Sequence, residues 1–133
     1  TYDLKNDRLY VAKERDPIQF LEVSGIQASL KQGLSVQVRN LSNIVKDNVF
    51  ATDLSSATFD QKNGHLILLS DESKLLIELT AEGQVISFRS LSRGFAGLRR
   101  GIPQAEGVSM DDDGNLYVVC EPNLFYRFTR DAQ

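Results

Sequence analysis

The run Asp111-Asp112-Asp113-Gly114-Asn115 is the densest group of side-chain oxygens in this 133-residue chain. Loops of that kind can hold calcium, which takes carboxylate and carbonyl ligands. This one lacks the downstream bidentate Glu and the spacing of a helix-loop-helix calcium site, and strand-like runs flank it. Two further stretches, "DQKNG" at 60–64 and "DLKND" at 3–7, keep the leading Asp with fewer acids behind it. Asp and Asn cap turns through their own side chains and tolerate left-handed backbone. The acidic loop is therefore read as a turn between strands.

Glu106 is the sharper metal candidate. It precedes Gly107 at the start of an expected strand. Several carboxylates and carbonyls converging there would suit a hard cation, Ca²⁺ or another divalent ion, held by oxygen. The aligned position one repeat earlier is Ser55, and a single carboxylate makes no coordination shell. A second series, Glu14, Asp71 and Glu121, recurs just past the second strand of each repeat. It reads either as a ring of acids facing a ligand or partner, or as acceptors for backbone amides of the turn that follows. Acids beside turns usually do the latter. Pro17 and Pro122, in the same turns, stiffen the loop entry.

The segment "RSLSRGFAGLRRGIPQ" at 89–104 carries Arg89, Arg93, Arg99 and Arg100. It is a solvated connection, or a lip for an anion or a partner, because guanidinium forks match carboxylates and phosphates. His65 is the only histidine, so any Ser-His-acid site must use it. Directly after Asn63-Gly64 it sits at a solvated turn, poorly placed for a desolvated triad. Cys120 ends an apolar run without a histidine to partner it and reads as a small packed or semi-exposed residue, not a nucleophile. No catalytic residue is assigned.

A net charge of −3 argues against a nucleic-acid surface, which wants a basic excess. One cysteine excludes an internal disulfide and a multi-cysteine zinc site. No apolar run approaches the ~18 residues that span a bilayer. The chain starts at Thr1 with no signal peptide in view, so any membrane association would run through an anchor outside it.

Elements that could position these residues follow from a repeat. Strands are expected at 55–60, 65–70, 75–80 and 84–90, with Asn63-Gly64 and Glu82-Gly83 supplying the positive φ of tight hairpins. The stretch "SSATFDQKNGHLILLSDESKLLIEL" lies on "EGVSMDDDGNLYVVCEPNLFYRF" with single-residue gaps in the turns, and a looser copy, "YDLKNDRLYVAKERDPIQFLEV", opens the chain. Leu9, Leu66 and Leu116 match, as do Glu14, Asp71 and Glu121. A blade-sized period with four strands per unit predicts an all-β chain, a β-propeller of about three four-stranded antiparallel blades belonging to a larger ring. The expected single domain covers 1–133, with blades near 1–40, 53–91 and 104–130 and a linker at 92–103. The third blade should lack its outermost strand. A C-terminal half is expected, with blade faces open to self-association. Between the first two blades, 34–39 alternates as a strand and 41–50 reads as loop or short helix.

The runs "QAEGVSMDDDGNLYVVCEPNLFYRF" and "LLSDESKLLIEL" resemble the C-terminal half of the bacterial SdiA-regulated, YjiK-like proteins. The resemblance covers 53–129 and, more loosely, the first blade. It implies a propeller of about twice this length, placed outside the bacterial cytoplasm in the cell envelope, with no established activity. A protein- or ligand-binding module is the expectation. The alternative is a divalent-metal-dependent hydrolase of the lactonase type, since gluconolactonase-like propellers are similar in placing a Glu-Gly pair at a metal site in the channel.

Overall fold

The computed structural model describes residues 1–14, 17–48 and 50–129. Arg130, counted into the third blade, lies outside the described residues. The first sheet has the order β1 (Tyr2–Asp3), β2 (Arg8–Lys13), β3 (Gln19–Ser24) and β4 (Gln37–Asn40), with helix α1 (Ile26–Gln32) between the last two. Helix α2 (Ser42–Asn48) leads to the second sheet, β5 (Ser56–Asp60), β6 (His65–Ser70), β7 (Leu75–Thr80) and β8 (Val85–Ser90). The third sheet has three strands, β9 (Ala105–Met110), β10 (Leu116–Cys120) and β11 (Leu124–Phe128). Every pairing is antiparallel between chain neighbours. The fold is a partial β-propeller of three blades, and among the described residues no sheet is closed.

Register carries the repeat. Leu9 pairs with Tyr2 and Val23, Leu66 with Phe59 and Leu79, and Leu116 with Met110 and Phe128. Successive strand residues point to opposite faces of a sheet, and β6 uses both. Leu66 and Leu68 pack with Tyr10, Phe20, Phe59 and Leu79 between the first and second sheets. Ile67 and Leu69 pack with Val108, Val118, Cys120 and Phe128 between the second and third. A strand covered on both sides explains the unbroken apolar run "LILL". Among the described residues β10 is covered on one face only: Val118 is fully buried while Val119 is 47% exposed.

Helix α1 is the departure from expectation, whereas α2 falls where the sequence reads as loop or short helix. Region 34–39 becomes a strand only from Gln37, and 41–50 resolves into α2. α1 was not anticipated from periodicity. It has no buried residue, so no apolar stripe announces it. Gly25 and Gly33 bracket it at φ 77° and 67°, and a glycine in left-handed backbone ends a helix at little cost.

Candidate functional site: the turns and seams between blades

Each β-hairpin at the inner edge of a blade is built on one aspartate. Asp3 accepts the amides of Lys5 and Asn6, both at 3.1 Å, and the Asn6 side-chain amide at 2.7 Å. Asp60 accepts the amides of Lys62 (2.9 Å) and Asn63 (3.2 Å) and the Asn63 side chain at 2.7 Å. Asp111 accepts the amides of Asp113 (3.1 Å) and Asn115 (2.8 Å), the Asn115 side chain (2.8 Å) and the Tyr117 hydroxyl (2.8 Å). Three copies of one capped turn resolve the acidic loop: its leading carboxylate is spent on its own backbone. The Asn115 side chain, then Tyr117 and the two amides, hold the Asp111 carboxyl down at about 2. The same bond pushes the Tyr117 phenol above its ordinary value.

The second acidic series joins neighbouring blades. Leu54 donates its amide to the Glu14 carbonyl at 3.3 Å, and Ala105, in the matching place one blade later, donates to Asp71 Oδ1 at 2.7 Å. Asp71 therefore takes the first strand of the next sheet, and Lys74 Nζ sits at 2.6 Å from the same oxygen. Glu121 occupies the corresponding position on the third sheet, exposed, with its amide on the Gln104 carbonyl at 3.0 Å. The turn after β6 is capped by a residue the repeat did not reveal. Asp53, fully buried, accepts the Ser70 hydroxyl and the amides of Asp71 and Glu72, each amide at 3.1 Å. Its counterpart is Gln104, so no repeated acid marked it.

Glu106 is exposed on β9. Burial first, then the charges of Asp71 and Glu106, raise the pKa of the buried Cys120 thiol. Among the described residues no group of three or more His, Cys, Asp and Glu is placed to hold a metal ion. Glu14 belongs to the first sheet's seam, and Glu121 to the outer turn. Arg93, Arg99 and Arg100 are exposed on the connection between β8 and β9. His65 Nδ1 lies 2.8 Å from Glu78 Oε1, and Ser87 donates to Glu78 Oε2 at 2.8 Å. That order sets the hydroxyl against the acid. A Ser-His-acid triad needs it against the imidazole.

Several open spaces flank the third blade, and two of them lie beside β8 and β11. A cleft of about 140 Å³ lies between the second and third sheets, lined by Asp60, Glu78, Arg89, Met110 and Leu116 among others. A shallower groove of about 600 Å³ runs between the end of β8 and the end of β11. There the Arg89 guanidinium lies 5.5 Å from the Phe128 ring centroid, within cation–π range.

No helix among the described residues is long and apolar enough to cross a membrane. Capped turns repeated at Asp3, Asp60 and Asp111 and the matched leucine register extend the likeness over all three sheets. The family model described as SdiA-regulated matches residues 1–129, essentially the whole chain, and the chain belongs to that family.

Proposed function

We propose that this chain is part of a bacterial extracytoplasmic propeller that binds a protein or small ligand and does not catalyse a reaction. One observation carries the reading. The polar groups that repeat from blade to blade are used in capping turns and tying sheets together, as at Asp60 and Asp71. The lone histidine is engaged with Glu78 in an order unsuited to nucleophile activation. Placement in the cell envelope rests on the family resemblance. The competing reading is a metal-dependent hydrolase that takes Ca²⁺ or another divalent ion through Glu106, and it requires ligands beyond those the described residues gather.

The two readings differ in calcium linkage. A ligand that binds only the folded state stabilises it by RT ln(1 + [L]/Kd). Under the binding-module reading, melting of the chain and of its Glu106→Gln variant stays the same from chelator to millimolar Ca²⁺, Mg²⁺ or Mn²⁺. A rise of several degrees in the parent that Glu106→Gln abolishes would establish the hydrolase-type site and remove the first reading.

A further inference from the structure

The seam between the first and second sheets is clasped at its turn end by one side chain. Gln61, in the turn after β5, donates its side-chain amide to the Tyr2 carbonyl at 2.6 Å and accepts the Leu4 amide on its side-chain oxygen at 3.2 Å. A primary carboxamide suits this task because it carries donor and acceptor side by side. The repeat sets out the same groups one blade later. Phe59 pairs with Leu66 as Tyr2 pairs with Leu9, and alternate residues of an antiparallel ladder turn their backbone groups away from the partner strand. By that register the Phe59 carbonyl and the Gln61 amide face the third sheet as the Tyr2 carbonyl and the Leu4 amide face the second. The residue that meets them is Asp112, which follows Asp111 as Gln61 follows Asp60. A carboxylate accepts hydrogen bonds and donates none, so Asp112 offers nothing to the Phe59 carbonyl. A groove of about 420 Å³ opens there, lined by Phe59, Gln61, Lys62, Asp111, Asp112 and Gly114.

We propose that this groove binds a ligand through a primary carboxamide, the group that a glutamine side chain carries. One ligand N–H goes to the Phe59 carbonyl, and the ligand oxygen accepts the Gln61 amide. The second N–H meets the Asp112 carboxylate in a charge-assisted bond. An ammonium group would leave the Gln61 amide without an acceptor, and a carboxylate would be repelled by Asp112. The neutral amide serves all three. The inference rests on the binding-module reading and names its site and ligand class.

The probe is N-acetylglutamine methylamide, added to the full chain and followed by NMR. One control carries two methyl groups on the side-chain nitrogen, and the other is the glutamate analogue. The Gln61 amide and Phe59 carbonyl carbon signals should shift with the probe. Its affinity should exceed that of either control by about tenfold, the worth of two modest hydrogen bonds. Asp112→Gln supplies the carboxamide from the chain itself, as Gln61 does in the first seam. That variant should reduce probe binding by about tenfold, with a melting temperature equal to or above the parent's. Propionamide separates two sources of the same group: binding equal to the probe's assigns a small amide, and weaker binding assigns a peptide glutamine. Equal binding of the dimethyl control, undiminished binding to Asp112→Gln, or no shift at Phe59 and Gln61 overturns the proposal. Asp112→Gln leaves Glu106 in place, so a calcium-dependent rise in its melting temperature would remove the binding-module reading whatever the amide does.

Discussion

At the scale of the residue, the same carboxylate chemistry that could bind a cation is directed inward. Asp111 shows how strongly. Its carboxyl is held down at about 2 by the Asn115 and Tyr117 side chains and two amides, whereas an unfolded Asp titrates near ~3.9. A depressed folded-state pKa adds stability that is fully present above the unfolded value and disappears as pH falls toward the folded one. The Asp111 contribution is thus complete above about pH 4 and fades toward about pH 2. Carboxyl carbon NMR should place the Asp111 midpoint near 2, and Tyr117→Phe should move it upward. A midpoint at the ordinary value would show that these bonds do not form in solution. Asp71 offers a stability test. Ala105 is fully buried, so Asp71→Ala leaves its amide without that acceptor, at a cost of about 1–3 kcal/mol in urea unfolding. Asp71→Asn, which retains a carbonyl oxygen, should recover much of the loss. Asp53 escaped the sequence because Gln104 stands in its place one blade later; a capping acid without a repeat looks like any loop residue.

At the scale of the element, legibility follows period and burial. Strands β5 to β8 were readable because alternation, Asn63-Gly64 and Glu82-Gly83 agree about where the chain turns. Helices α1 and α2 have seven residues each, about two turns, too short for a 3.6-residue period to emerge from the pattern. The three-stranded sheet was legible too, but its consequence is visible only in burial. Leu68 and its counterpart Val118 are both fully buried, whereas Leu69 is fully buried and its counterpart Val119 is 47% exposed. Leu68→Ala should therefore cost ~2–5 kcal/mol, and Val119→Ala should stay within about 0.5 kcal/mol. Gly107 adds a coupling test. A Cβ built there would lie 2.7 Å from Val119 Cγ2, and valine has few rotamers with which to retreat. Gly107→Ala should destabilise by ~1–3 kcal/mol in the parent and much less in a Val119→Ala background. Additive effects would place the two side chains apart.

At the scale of the whole molecule, the three sheets do not share stability equally. The second sheet is covered by the first on one face and by the third on the other, and Leu66, Ile67, Leu68 and Leu69 are all at most 3% exposed. The third sheet ends in β11, where Leu124 and Phe125 are 40% and 63% exposed and one edge has no strand pairing among the described residues. Opening β6 breaks hydrogen bonds to two strands and uncovers both apolar clusters, so its amides should exchange only through global unfolding. Opening β11 breaks one set of strand bonds and uncovers Phe128 and part of one cluster. Native-state hydrogen exchange should thus rank β6 slowest and β11 at least ~100-fold faster, a gap of about 2.8 kcal/mol. Equal rates in β6 and β11 would mean that the blades open as one unit. The exposed edge would then not be a separately adjustable part of the propeller.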